Sequence, residues 1–119
     1  MTTEATRPDG VVIKEISPQE LRQRMDAGED LVLVDVREPF ETVLADLPEY
    51  ERLHIPVKEI PLVDGELDHT REIVAYCRSG LRSAWAVERL MEKGFQRVMN
   101  LKGGLQAWRA QVDPTLPTY

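Results

Sequence analysis

The residues with the clearest chemical potential lie together in the stretch 77–83, which contains the only cysteine of this 119-residue chain. Cysteine attacks other groups as its thiolate, and nearby cations and backbone N–H groups favour that charged form. The stretch supplies such groups, because Cys77 is followed by Arg78, Ser79, Gly80, Leu81, Arg82 and Ser83. It therefore predicts a nucleophilic thiolate held inside a loop that binds anions.

The segments on either side of this loop predict how it is positioned. An apolar run, residues 73–76, precedes Cys77 and predicts a buried strand. An amphipathic stretch follows the loop and predicts a helix that ends at Gly94. Cys77 would then lie at the carboxyl end of a strand and beside a helix N-terminus, where ligand sites form in open α/β sheets.

The rest of the pattern predicts one α/β domain. Further strands are predicted over residues 11–16, 31–36, 53–57 and 95–101, and further helices after Ser17 and over residues 105–111. Strands that alternate with helices are typical of a sheet covered by helices on both faces. Residues 1–10 lack periodicity and predict a flexible N-terminus, which leaves 11–119 as a single domain.

Composition argues against several classes of partner. The net charge of −6 is unfavourable for nucleic acid binding, which depends on Lys and Arg. The absence of a long apolar run argues against membrane insertion, and one cysteine with two histidines argues against a metal site. An unpaired thiol and the lack of an apolar leader predict a cytoplasmic protein, and the lack of a long apolar stripe predicts a monomer.

The stretch 77–83 resembles the active-site loop of the rhodanese family. Other segments resemble that family in the same order, namely residues 16–18, 33–38, 94–95 and 100–108. The resemblance implies a rhodanese-like fold with a central five-stranded parallel sheet flanked by helices. It also implies that Cys77 becomes a persulfide, that Asp35 and Arg37 support the loop, and that Arg82 helps to hold its shape.

The same resemblance implies a sulfurtransferase that needs no cofactor. The sulfur donor would be thiosulfate or another donor, such as a cysteine desulfurase. The acceptor would be cyanide, a thiol or a ubiquitin-like sulfur-carrier protein. Residues 112–119 resemble the ends of rhodanese domains that are attached to enzymes activating such carriers, which ranks a sulfur carrier ahead of unrelated protein partners.

Two other functions are compatible with the same residues. A phosphatase or arsenate reductase also combines a cysteine with a looped arginine, but uses five intervening residues, whereas four separate Cys77 from Arg82. A non-catalytic interaction module is the second alternative, because folds can be retained without their chemistry. Residues 45–56 depart from the family pattern, since both 45–50 and 54–56 can be matched to the same family segment.

Overall fold

The computed structural model describes residues 2–119, which form six strands, three α-helices and two 3₁₀ helices. The strands are β1 (Thr2–Thr6), β2 (Val12–Ile16), β3 (Val32–Asp35), β4 (Arg52–His54), β5 (Ile73–Tyr76) and β6 (Val98–Leu101). The α-helices are α1 (Pro18–Asp26), α2 (Leu81–Glu92) and α3 (Gly104–Gln111), and the 3₁₀ helices span Pro39–Val43 and Val57–Leu62. No helix among residues 2–119 has the length and apolar composition of a membrane span.

The strands form one sheet in the order β1-β2-β6-β5-β3-β4. The five neighbouring strands β2, β6, β5, β3 and β4 run parallel, which confirms the predicted parallel sheet. Each residue of β3, β5 and β6 is buried, because helices cover both faces of the sheet.

The two faces carry separate apolar clusters, and the alternation of side chains along each strand decides which cluster a residue joins. On one face, Val32 and Val34 of β3 pack in the same cluster as Val87 and Leu90 of α2. On the other face, Leu33 packs in a cluster with residues of α1 and α3, including Leu21, Met25, Leu105 and Trp108. Cys77 belongs to the first cluster, on the α2 side.

The N-terminal segment corrects one expectation. Instead of an irregular end, Thr2–Thr6 forms β1, which pairs antiparallel with β2 from Thr2 opposite Ile16 to Thr6 opposite Val12. The turn that joins the two strands is closed by two hydrogen bonds, from the Arg7 N–H group to the Val11 carbonyl at 2.7 Å and from the Gly10 N–H group to the Arg7 carbonyl at 2.8 Å. Because β1 is almost entirely exposed, its sequence lacks the apolar alternation by which a strand is recognised.

The sheet also shows which part of the segment 45–56 forms a strand. Its strand is β4 (Arg52–His54), shorter than the predicted strand over 53–57 and paired with β3, with His54 opposite Asp35. Pro56 follows it, and because proline has no N–H group to donate, it ends the strand before the 3₁₀ helix Val57–Leu62. Residues 95–97, predicted as strand, instead lead into β6.

Candidate active site at Cys77

Cys77 directly follows β5 and lies at the start of the loop that leads into α2, the position expected from the sequence. Its sulfur is fully buried and faces polar groups of the loop. The N–H group of Gly80 lies 3.1 Å from Sγ, the N–H group of Ser83 lies 3.5 Å away, and the Ser83 hydroxyl lies 3.4 Å away. The loop thus directs backbone donors at the sulfur, an arrangement that stabilises negative charge.

Glycine at position 80 permits this turn. Gly80 has φ +93° and precedes the first residue of α2, in the left-handed region that other residues rarely adopt. A Cβ atom there would also lie 3.0 Å from the backbone nitrogen of Gly103. The residue therefore combines a reversed backbone direction with a close approach to the neighbouring loop.

The N-terminus of α3 supports the loop from the other side. The N–H groups of Leu105 and Gln106 each donate at 3.0 Å, to the carbonyl oxygens of Cys77 and Arg78 respectively. Gly104 makes this contact possible, because a Cβ atom there would lie 2.7 Å from the carbonyl carbon and oxygen of Arg78. Two carbonyls of the loop therefore cap a helix, which fixes the backbone around the sulfur.

A buried amide links the loop to β6. The Nδ2 group of Asn100 donates to the Gly80 carbonyl at 3.2 Å and to the Glu15 carboxylate at 2.9 Å. Its Oδ1 atom consequently faces Ser83, whose hydroxyl donates to it at 2.5 Å. That hydroxyl has a single proton, so in this arrangement it offers a lone pair, rather than a proton, to Cys77.

Arg82 is held by an acidic residue that the sequence analysis did not single out. Its guanidinium forms two hydrogen bonds with the buried Glu41 carboxylate, at 2.6 and 2.8 Å. Glu41 lies in the 3₁₀ helix Pro39–Val43, and its carboxylate also accepts from the N–H group of Glu38 at 2.9 Å. The ion pair ties the loop to the segment that follows β3.

This ion pair predicts a pH dependence of stability. The Arg82 guanidinium lowers the pKa of Glu41 from 4.5 to about 2, although burial alone would raise it. Because the folded-state pKa is depressed, the stabilisation is complete above about pH 4.5 and is lost as the pH falls through about 2. We expect the free energy of unfolding to fall over this interval by roughly 2 kcal/mol more in the wild type than in Glu41→Gln, allowing for solvent screening at the partly exposed Arg82. Urea unfolding at a series of pH values measures this, and equal slopes for the two proteins would refute it.

Asp35 and Arg37 form a buried ion pair beneath the same segment. The guanidinium donates to both carboxylate oxygens of Asp35, at 2.9 and 2.8 Å, and Arg37 is fully buried. Its Nη1 group also donates to the carbonyls of Glu41 and Ala45, at 3.2 and 2.8 Å. Burial lowers the pKa of Arg37, but the hydrogen bonds that its guanidinium donates to Asp35 and Tyr119 outweigh this effect and leave that pKa above its ordinary value. The pair thus fixes the backbone around Glu41, and Glu41 in turn forms the ion pair with Arg82.

Tyr119 joins the site from a distant part of the sequence. Its hydroxyl donates to Glu41 at 2.9 Å and accepts from the Arg37 guanidinium at 3.0 Å. The Cζ atom of Arg78 lies 5.3 Å from the centre of its ring. Burial raises the pKa of the Tyr119 hydroxyl, which therefore stays protonated at neutral pH.

The structure brings the sequence-predicted residues together, although their side chains face different ways. Cys77 and Ser83 are buried, whereas Arg78, Ser79 and Leu81 are exposed on the outside of the loop. Among residues 2–119, no group of three or more His, Cys, Asp or Glu side chains is placed to hold a metal ion.

Sequence reasoning did not assign a role in the site to Asn100, Glu41 or Tyr119. Asn100 has a local signal, since it is a polar residue in a fully buried strand, just as Asp35 is. Glu41 and Tyr119 have no such signal, because their contacts span 41 and 78 positions of the chain.

Comparison with known proteins gives matches over most of the chain. The model of the rhodanese-like domain family matches residues 17–111. A sulfurtransferase of Allochromatium vinosum is 41% identical over 97 residues, 82% of this chain and 89% of that protein. The probable adenylyltransferase/sulfurtransferase MoeZ of Mycobacterium tuberculosis is 36% identical over 106 residues, 87% of this chain but 26% of MoeZ. A crystal structure of a rhodanese-like domain protein from Staphylococcus aureus superposes with a TM-score of 0.72 at 28% identity, covering 88% of this chain and 97% of that chain.

Proposed function

Because the chain belongs to the rhodanese-like domain family, whose model matches residues 17–111, we propose that it is a sulfurtransferase that carries sulfur as a persulfide on Cys77. Relatives named as sulfurtransferases support sulfur transfer as the general activity. The observation that carries the finer proposal is the geometry at the sulfur, where the N–H groups of Gly80 and Ser83 both point at Sγ. These donors are suited to a thiolate and to the anionic persulfide that replaces it.

In the first half-reaction, the Cys77 thiolate attacks the outer sulfur of a donor such as thiosulfate. A bond forms between Sγ and that sulfur, while the sulfur–sulfur bond of thiosulfate breaks. Sulfite leaves with the bonding electron pair, so the products are a Cys77 persulfide anion and sulfite. The step conserves charge and requires neither a metal nor an external oxidant.

In the second half-reaction, an acceptor nucleophile attacks the outer sulfur of the persulfide. With cyanide as acceptor, a carbon–sulfur bond forms, thiocyanate leaves the site and the Cys77 thiolate is regenerated. A thiol acceptor would instead become a persulfide itself. The backbone N–H groups that face Sγ stabilise the negative charge that returns to it, which makes the thiolate a good leaving group.

Phosphoryl transfer is less compatible with the same site. Arg82, the arginine that would have to bind a phosphate, already donates two hydrogen bonds to Glu41. Only four residues separate it from Cys77, which leaves a smaller ring than the five-residue spacing of the cysteine phosphatases. A non-catalytic module would not require backbone donors directed at a buried sulfur, which favours catalysis over that alternative as well.

The proposal is tested by sulfur loading. Purified protein is incubated with thiosulfate, its intact mass is measured, and the modified peptide is mapped. We expect a gain of one sulfur atom on Cys77, release of sulfite in equal amount, and loss of the added mass after cyanide treatment. Hydrolysis of a phosphate ester without any gain of sulfur would favour the phosphatase. If the protein neither gains sulfur nor hydrolyses the ester, the interaction module is favoured.

Thiosulfate is a convenient donor, and a cysteine desulfurase is an equally suitable source of sulfur within a reducing cytoplasm. For the acceptor we propose a ubiquitin-like sulfur carrier. Support comes from MoeZ, whose name pairs adenylyl transfer with sulfur transfer, because adenylylation makes a carboxylate reactive toward a sulfur nucleophile. With this acceptor the Cys77 persulfide anion is the nucleophile: its outer sulfur attacks the acyl carbon, AMP leaves, and an acyl disulfide to Cys77 forms. Two equivalents of a small thiol then reduce that disulfide, which releases the carrier thiocarboxylate and the Cys77 thiolate. One copy of the chain contains every residue of the proposed site, so a monomer suffices. Failure of the loaded protein to pass sulfur to an adenylylated carrier would remove this acceptor, but not the persulfide.

A further inference from the structure

Residues 112–119 follow α3 and lie outside the part of the chain matched by the family model. This segment is nevertheless anchored to the domain. Leu116 is buried in the apolar cluster on the α1 and α3 side of the sheet. Its carbonyl accepts a hydrogen bond from the Arg109 guanidinium at 2.9 Å. The anchor brings Tyr119 back to the face of the molecule that carries the Cys77 loop.

The two arginines of the loop differ in what surrounds their charge. Arg82 is paired with Glu41 at 2.6 Å, so its charge is already largely compensated within the protein. Arg78 is exposed, and in the part of the chain described here no carboxylate forms an ion pair with it. Its guanidinium lies over the Tyr119 ring in a cation–π contact, with Cζ 5.3 Å from the ring centre. Arg78 is therefore the loop cation that remains able to meet an anion.

Tyr119 is itself firmly held, so it can fix the position of Arg78. Its hydroxyl bridges the Glu41 carboxylate and the Arg37 guanidinium, both of which are buried. Arg37 also stacks near the same ring, with Cζ at 5.9 Å from its centre. A guanidinium on a fixed aromatic face loses side-chain freedom before a ligand arrives, which lowers the entropy cost of binding.

A small pocket adjoins this arrangement. It has a volume of about 210 Å³ and is lined by Arg78, Leu105, Gln106, Arg109 and residues 117–119. Arg78, Arg109 and Tyr119 therefore line one pocket next to the Cys77 loop. An anionic sulfur donor that approaches the loop from this side meets Arg78 before it meets the buried sulfur.

We propose that Tyr119 is a positioning residue for sulfur donors: it holds Arg78 beside the loop and so sets a preference for doubly charged donors over singly charged ones. The inference rests on the proposed sulfur transfer, but it concerns selection of the donor rather than the reaction at Cys77. It predicts an effect on KM that increases with donor charge and leaves kcat nearly unchanged.

The test compares thiosulfate, a dianion, with benzenethiosulfonate, a monoanion that donates its outer sulfur and leaves as a sulfinate. For Tyr119→Ala we expect KM for thiosulfate to rise about fivefold, with a rise of less than about twofold for benzenethiosulfonate. For both donors kcat should stay within about twofold of wild type. Tyr119→Phe keeps the ring but loses the hydroxyl contacts that hold it, so its KM for thiosulfate should lie between those of wild type and Tyr119→Ala, and it should melt at a lower temperature than wild type.

Tyr50→Ala is a matched control, because Tyr50 also packs against the cluster on the α1 and α3 side and its hydroxyl also forms a hydrogen bond, to Glu29. It should lower stability without changing KM for either donor. Tyr119→Leu provides a second variant that retains apolar bulk but no aromatic face, and it should repeat the KM effect of Tyr119→Ala. In an Arg78→Gln background, Tyr119→Leu should add nothing.

Equal changes in KM for the two donors, or a fall in kcat with KM unchanged, would overturn the inference. The same holds if Tyr119→Leu keeps the wild-type KM for thiosulfate, since the aromatic ring would then have no special role. If the wild type acquires no sulfur from either donor, the proposed function itself fails. That result is distinct from normal loading with no dependence on Tyr119.

Discussion

Cys77→Ser should fold normally and lose sulfur transfer, with a fall in turnover on the order of 10³-fold or more. Serine is close in shape to cysteine, and its hydroxyl oxygen can accept from the Gly80 and Ser83 N–H groups that now face Sγ. We expect its free energy of unfolding to stay within about 1 kcal/mol of wild type. A serine hydroxyl is not ionised near neutral pH and cannot become a persulfide, so the first half-reaction has no nucleophile.

Thiocyanate formation from thiosulfate and cyanide measures this prediction, together with the intact mass after thiosulfate treatment. Ser79→Ala is a suitable control, because Ser79 lies in the same loop but is exposed, whereas Cys77 is buried. The control should keep most of the activity. Sulfur loading of Cys77→Ser at the wild-type rate would place the acceptor atom elsewhere and refute the persulfide mechanism.

Asp35→Ala should destabilise the protein by about 3 to 5 kcal/mol, because it leaves a buried guanidinium without its partner. Arg37 is fully buried, and Asp35 accepts two of its side-chain hydrogen bonds as well as one from its backbone N–H group at 3.0 Å. A loss of this size is a large share of the 5 to 15 kcal/mol typical of a whole domain. Urea unfolding at neutral pH measures it.

Asp30→Ala is the matched control for this substitution. Asp30 pairs with Arg71 at 2.7 Å, but its side chain is 85% exposed, and exposed ion pairs contribute about 1 kcal/mol or less. The double variant Asp35→Leu with Arg37→Met should recover much of the stability lost in Asp35→Ala, because it removes both charges at once. Equal losses for Asp35→Ala and Asp30→Ala would show that the buried pair is no more important than an exposed one.

The alternation of apolar strands and helices was readable from the sequence because it depends on neighbouring residues. A four-residue apolar run such as Ile73–Tyr76 is buried on both faces, and the helix after Gly80 carries its own apolar stripe. The position of Cys77 follows from the same local order, since the end of a strand, a turn glycine and a helix N-terminus succeed one another within a few residues. β1 was missed for the opposite reason, because its pairing with β2 is backbone to backbone and leaves little trace in side-chain type.

The sequence by itself determined the α/β class, the strand–loop–helix order around Cys77 and the presence of a lone acid, Asp35, at the end of the apolar residues of β3. Only the tertiary structure decided that Glu41 compensates the charge of Arg82, that Asn100 orients Ser83, and that Tyr119 holds Arg78. The physical reason is the range over which each feature acts. Strand and helix propensity are set by residues within a few positions, whereas ion pairs, buried amides and stacked rings join residues that only the folded chain brings into contact.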